Sequence, residues 1–543
     1  MARYWFFWLM LAFLLSAAVC LPFLSSPVFF DDQDFFQVQS MLKVSEQPYW
    51  YPRVWVYKSL VATYDFFDAS LVWLRVGNYI LHLCVSIAFF LFSRELLTDL
   101  DSNLKLEVDP SSAAALAALV FSLHPLAIFV QGYLVQRSIL CATLFALLAL
   151  LFFWRGMSGS RIALAGSCLF TLLAIYAKEH AVMLPLGAIL LLILRLRSGV
   201  SFCRPSYSVY VAILAQCCIS ILVVFQLKGL LGATYEPLFS EMLGEVIDIP
   251  TNQIYPLSVA NQMDLFFKYL LVWAVPVPGW VAVDIRAAFP LDYSVRTIFY
   301  VISYFTYMLV AFAFVLRGGV KGLVGFSFLL PGCLFFSEFA AVRLQEPFVI
   351  YRSYLWFPFI MIALAIGLRR LRWRLLFLIL ILAVPLIAAL SYERLKTLSH
   401  PVLLWQDAAD VYDEGVLSAP DGYSVFGGYR IYYNLGSELR QLGFLSASLE
   451  AFNRCLELKP GHVWALANRG ALYLDMKNYS AAKADYGQVL QTVTDRPVAW
   501  NGLAQALEGL GEHDEAKKAK QVACKISNQE DCGEFQVETL RLR

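Results

Sequence analysis

The segment SILCATLFALLALLFFW, residues 138–154, holds no charged side chain, and Arg137 and Arg155 bracket it. An apolar run of this length, closed by cations, suits a helix that crosses lipid. Comparable runs recur outward in both directions, at 5–23, 71–92, 111–131, 162–177, 181–194, 207–227, 297–316, 322–337, 353–368 and 375–391. With 138–154 they predict about eleven spans. The stretch 263–290 is apolar but interrupted by Pro276, Pro278 and Pro290, so it reads as an interfacial or re-entrant element.

Composition agrees. The chain has 543 residues, of which 59% are hydrophobic and 15% charged, and its mean hydropathy is +0.63. A soluble domain is about 45–50% apolar and about 25% charged. A net charge of +1 offers no electrostatic footprint for nucleic acid. The run within Met1–Phe23 exceeds the apolar core of a secretory signal, so it reads as a retained first helix. The 11 cysteines form no CxxC pair and no zinc-type spacing with histidine. Cys20, Cys84, Cys141, Cys168, Cys217, Cys218 and Cys333 lie in apolar runs as packing residues, while Cys524 and Cys532 could pair if the tail lies outside the cytosol.

Orientation follows from the short loops. Arg94 and Lys105, Arg155 and Arg161, Arg195, Arg197 and Arg204, Arg317 and Lys321, and Arg369, Arg370, Arg372 and Arg374 fall in alternate loops. The opposite loops carry only Arg137, Lys178, Arg343 and Arg352. The positive-inside rule then places the N-terminus in the cytosol. The first loop 24–70, the region 228–296 and everything after 391 are expected outside it. Residues 1–391 form the membrane domain and 392–428 a linker.

Beyond the linker a period of 34 residues sets in. Gly436, Gly470 and Ala504 keep that step, as do Tyr432, Leu466 and Trp500, and Ser448, Ala482 and Ala516. This is tetratricopeptide spacing, with small residues where paired helices touch. Units at 429–462, 463–496 and 497–530 are expected, followed by a tail at 531–543. Such a solenoid either binds a protein on its concave face or serves as an internal scaffold. Asn478-Tyr479-Ser480 matches a glycosylation sequon.

Ionisable side chains beside apolar spans need a reason. Phe29-Phe30-Asp31-Asp32-Gln33-Asp34 places three carboxylates in four positions after the first span. They are either a solvated cap or a source of a general base or metal ligands. Arg137, Lys178 and Arg352 each sit at a span end on the face expected to lie outside. Singly they read as snorkelling cations, and together as partners for a lipid phosphate. Arg53 is a further candidate in the first loop, and His124 lies inside an apolar run, where a core role is the plainer reading.

Five segments occur in the order found in the transmembrane and tetratricopeptide-repeat O-mannosyltransferases and their bacterial relatives, and the chain resembles that family on them. They are Phe29-Phe30-Asp31-Asp32, Phe121-Ser122-Leu123-His124-Pro125, Val135-Gln136-Arg137-Ser138, Ala177-Lys178-Glu179-His180 with Leu184-Pro185, and Tyr351-Arg352-Ser353-Tyr354-Leu355. Two positions depart from the pattern. Tyr51-Pro52-Arg53-Val54 replaces a Tyr-Arg-Pro-Leu-like string, and His180 stands where a small or apolar residue is expected.

The resemblance implies an all-α, polytopic GT-C-like membrane glycosyltransferase with a C-terminal tetratricopeptide-repeat solenoid. It would take a sugar from a polyprenyl-phosphate donor and pass it, with inversion, to Ser or Thr of an extracytoplasmic protein. On it Asp31 or Asp32 would be the base and Arg137, Lys178 and Arg352 would hold the donor phosphate; Asp34, Arg53, His124, Glu179, His180 and Tyr354 are further candidates to contact the substrate, with the departure at Arg53 weakening its role. No cofactor or metal is expected to be required, although three clustered carboxylates are compatible with a divalent ion. The expected setting is a bacterial inner membrane with the repeats in the periplasm, in contact with membrane lipid, the lipid-linked sugar and a protein acceptor, without nucleic acid. Alternatives are a glycan polymerase, ligase or glycan-modifying transferase, and a non-catalytic membrane scaffold that works through its repeats.

Overall fold

Helix boundaries follow local signals in the sequence. Asp109 accepts the Ser111 and Ser112 N–H groups at 3.0 and 3.2 Å and precedes Pro110, which opens the helix Pro110–Leu123. Ser160 and Ser294 cap the helices Arg161–Ala177 and Val295–Val315 in the same way. His124 before Pro125 stops the helical ladder, and the next helix, Pro125–Gly132, leaves at 55°. The computed structural model describes residues 4–101, 106–199, 206–233, 249–344 and 346–527. Lys105, Arg204, Cys532 with its pairing to Cys524, the tail 531–543 and part of the region 228–296 lie outside the described residues.

The chain divides into two compact units, the first spanning residues 1–281, 287–400 and 419–424. Among the described residues, eight helices are long and apolar enough to cross a membrane, or nine if the bent pair at His124 is one span. The difference from the expected eleven or so falls at two shorter helices. Arg161–Ala177 has 17 residues, and the run at 353–368 begins in a 3-10 turn and leaves a helix of only 14, Phe357–Arg370. The proline-broken stretch at 263–290 also reads differently. Thr251–Ala274 is one 24-residue helix, and the break falls after it, at Pro276 and Pro278. A two-residue antiparallel pairing, Phe289 with Ser424 and Pro290 with Tyr423, is the one sheet among the described residues.

Small residues let these helices approach closely. Ala113 through Ala118 are almost all alanine and fully buried. A Cβ on Gly325 would stand 2.5 Å from the Val315 backbone nitrogen, so the helices Val295–Val315 and Gly319–Phe335 meet backbone to backbone. The bundle has two chemically distinct ends. At one, arginines from alternate loops meet acids: Arg155 lies 2.8 Å from Glu95, and Arg369 and Arg370 each lie 2.9 Å from Asp101. Loops 24–70, 178–183, 227–231 and 336–352 meet at the other.

The second unit takes in residues 282–286, 401–418 and 425 onward. The expected linker 392–428 is largely helical: Trp373–Leu398 extends into it and Pro401–Leu417 follows. Three helical hairpins come next, Gly428–Gln441 with Leu445–Leu458, Val463–Asp475 with Tyr479–Thr492, and Pro497–Gly509 with His513–Ser527. Asn478 of the sequon caps its helix by accepting the Ala481 N–H at 3.3 Å.

The Tyr486 ring is wedged between successive hairpins. A Cβ on Gly502 would meet it at 2.1 Å and one on Gly470 at 3.1 Å. Overpacking of this kind costs about 1–3 kcal/mol. Gly502→Val is therefore expected to lower the thermal unfolding midpoint of the repeats, while Gly487→Val, where an added Cβ meets nothing within 4 Å, is not; differential scanning fluorimetry of the purified chain compares them.

Candidate functional site

At the loop-rich end a cavity of about 1140 Å³ opens within the first unit. Its lining includes the polar side chains Asp31, Arg53, Lys178, Glu179, His180, Arg343, Tyr351 and Arg352 and the apolar Val182, Met183, Val224, Leu227, Leu231 and Phe336. Six of the residues singled out in the sequence thus share one space, although they come from three separate parts of the chain.

Uncommon backbone sets two of them in place. Phe30, at φ 54 and ψ −133, turns the chain so that Asp31 begins a short helix at the cavity. Arg53, at φ 68, precedes the helix Val54–Phe66 and donates its own N–H to the Tyr176 carbonyl at 2.7 Å. Non-glycine residues held at positive φ cost about 1–3 kcal/mol and persist only where surrounding contacts impose them.

A chain of alternating charge runs among these polar side chains. Arg53 forks onto Glu179, with its Nε 2.7 Å from Oε2. The His180 ring stands between two carboxylates, with Nδ1 3.3 Å from Glu179 and Nε2 3.1 Å from Glu338. Arg352 donates to Glu338 at 2.8 Å, and Arg343 approaches the same carboxylate at 3.7 Å. Burial disfavours the charges of Arg53 and Arg352, yet Glu179 and Glu338 outweigh it and hold both guanidiniums above their usual range.

Lys178 differs. Its side chain is 3% exposed, and among the described residues its ammonium has no ion-pair partner; it lies over the Tyr351 ring at 5.6 Å. Burial first, then the neighbouring Arg53 charge, push it down to about 7. A buried cation without a carboxylate is poised to take an anion from the cavity.

The remaining candidates are placed elsewhere. Asp32 is fully buried and does not line the cavity; its oxygens accept the Leu134 and Val135 N–H groups at 3.0 and 2.8 Å. Burial pushes this carboxyl up to about 7 against those two bonds and the Arg75 charge. Arg137, expected at the donor phosphate, is instead a strut: it donates to Asn78 at 2.9 Å, to Ser59 and Thr63 at 3.1 Å, and to the Leu74 carbonyl at 3.2 Å. His124 caps its helix through the Leu126 N–H, donates to the Trp273 carbonyl at 3.0 Å and stacks on that indole. Tyr354 is buried against His82 at 2.7 Å. Asp34 is exposed and accepts from Gln37. Among the described residues no group of three or more His, Cys, Asp or Glu is arranged to hold a metal.

Removing the Asp32 carboxylate leaves two buried N–H groups unpaired, each costing about 1–3 kcal/mol. Asp32→Ala is expected to lower the melting temperature of the detergent-solubilised chain clearly, and Asp32→Asn, which keeps one acceptor, by less.

Glu338 and Tyr133 were not singled out by the sequence reading, and Tyr351 entered only as part of a motif. Glu338 carried a signal, being a lone carboxylate beside an apolar run. Tyr133 carried none: its phenol lies against Asp31 only because the chain turns between two helices there.

The tetratricopeptide repeat family matches residues 429–462. A MamA RS-1 double mutant is 22% identical with a TM-score of 0.20, over 23% of this chain and 66% of that one. The MamA 41-end structure from Desulfovibrio magneticus RS-1 gives 22% identity and 0.20, over 23% and 67%. A crystal structure of MamA protein gives 24% and 0.20, over 25% and 70%. The chain thus spans about two thirds of the length of these structures. No curated protein sequence matches it.

Proposed function

We propose that this chain is a membrane glycosyltransferase that moves a sugar from a polyprenyl-phosphate donor to a hydroxyl of an extracytoplasmic protein. The observation that carries the reading is the unpartnered, buried Lys178 ammonium in a large cavity that also exposes Asp31. The cavity lining combines charged and apolar side chains, which suits a ligand that carries both a phosphate and a hydrocarbon tail.

Asp31 takes the proton of the acceptor hydroxyl as its oxygen attacks the anomeric carbon. A new C–O bond forms on the sugar, the bond to the phosphate oxygen breaks, and the lipid phosphate leaves with the electron pair. Lys178, with the cationic side of Arg352, offsets the charge growing on that phosphate. Displacement from the far side inverts the anomeric centre. The repeats present the protein acceptor, as such solenoids commonly bind proteins, and the resemblance argued from the sequence motifs points the same way.

Membranes containing the chain, supplied with radiolabelled undecaprenyl-phosphate hexoses and exported proteins, are expected to give protein-bound label. Label that stays on lipid for every donor, from a correctly inserted chain, contradicts the reading.

A further inference from the structure

Asp31 and Asp32 are gripped by three consecutive residues of a different segment. Leu134 and Val135 give both their N–H groups to Asp32. The neighbouring Tyr133 hydroxyl accepts the Asp31 N–H at 3.3 Å and lies beside the Asp31 carboxylate. The Tyr133 ring is 1% exposed and is boxed by Phe29 at 5.4 Å, Phe30 at 6.3 Å and Tyr351 at 5.8 Å. Phe30 is the residue at φ 54, so the turn that presents Asp31 is held in an unfavourable conformation by the contacts around it.

The geometry points to Tyr133 as the positioning residue for Asp31: its phenol fixes the direction of that carboxylate towards the cavity and supplies it with a hydrogen bond. The inference rests on the proposed role of Asp31 as base only for its functional consequence; what places the phenol at Asp31 is the 3.3 Å bond from the Asp31 N–H and the ring contacts that hold Tyr133 there. Burial, then the Asp31 charge, hold the Tyr133 phenol protonated well above its usual range, so the hydroxyl is a donor at every working pH. A donor aimed at a carboxylate favours the ionised form. The phenol therefore keeps Asp31 ready to accept a proton while preventing the side chain from swinging into water. Asp32 contributes from below by locking the same turn.

The test is infrared difference spectroscopy of the purified full chain across pH, with the Asp31 band identified as the carboxyl signal missing in Asp31→Asn. Tyr133→Phe keeps the ring contacts and removes the donor. Its Asp31 midpoint is expected to rise by about one pH unit, the size of one hydrogen bond to a charged group. Difluorotyrosine at position 133, a stronger donor of nearly the same shape, is expected to move the midpoint down. Coincident midpoints in wild type, Tyr133→Phe and the fluorinated chain overturn the inference, whatever the activity. Hexose transfer by the same preparations separates the two ideas. Loss of transfer in Asp31→Asn with unmoved midpoints sinks the role of Tyr133 and leaves the base intact. Moved midpoints with full transfer in Asp31→Asn sink the base and leave the Tyr133 contact.

Discussion

Asp31→Asn is expected to lower the rate of sugar transfer by about 10²–10⁴-fold, the contribution of a positioned general base, while leaving the folded chain in the membrane. Asn keeps the size of the side chain and its place at the head of the short helix, but it cannot accept the proton. Asp31 is exposed at the cavity whereas Asp32 is sealed beneath it on two backbone donors, so the two neighbouring substitutions should part company. Asp31→Asn should cost rate without stability. Asp32→Ala should cost stability first and rate as a consequence. Single-turnover transfer measured beside the melting temperature of each variant separates the two effects. Equal rates for wild type and Asp31→Asn would remove Asp31 from the chemistry.

Lys178→Met is expected to weaken donor binding by about 10–100-fold, the worth of one hydrogen bond to a charged group. The effect should depend on pH in the wild type. The buried ammonium is pushed down to about 7, so it is charged below that value and neutral above it. Attraction for a phosphate is therefore present in mildly acidic solution and weakens as pH rises above about 7, because the free lysine must then take up a proton to bind. The folded state then binds fewer protons than the unfolded chain between that value and the ordinary lysine range, so this group makes the empty protein more stable as pH rises there. Lys178→Arg, whose charge does not titrate, should flatten the pH dependence of the donor KM. A KM that is flat with pH in both wild type and Lys178→Arg would contradict the assignment.

Much of the site was legible because chemistry that is costly near lipid stands out in an apolar sequence. Asp31, Lys178, Glu179 and Arg352 were visible as charges at the ends of apolar runs, and the structure brings them to one cavity. The same signal could not tell ligand from structure at Arg137, whereas at His124 the plainer reading, a core role, agrees with its partners. An isolated charge beside a span declares that it needs partners, but not whether those partners are a ligand or the protein. For Arg137 they are Asn78, Ser59, Thr63 and Leu74, contributed by segments 59 to 78 residues away. The choice between Asp31 and Asp32 was likewise hidden, because it turns on which carboxylate the N–H groups of Leu134 and Val135 reach. In the fold, the 34-residue period placed all three hairpins. The shorter apolar helices, such as the 14-residue Phe357–Arg370, had an apolar content that suggested complete spans. Hydropathy reports burial; length and break points come from turns such as His124-Pro125.

The most direct test of the central claim is intact-mass spectrometry of exported proteins from cells carrying wild-type chain, Asp31→Asn, Lys178→Met or no copy, with membrane levels of each variant matched. A hexose- or pentose-sized addition present in wild type, absent in Asp31→Asn and in cells without the chain, and reduced in Lys178→Met is the predicted result. Identical protein masses in all four would contradict protein glycosylation at this cavity.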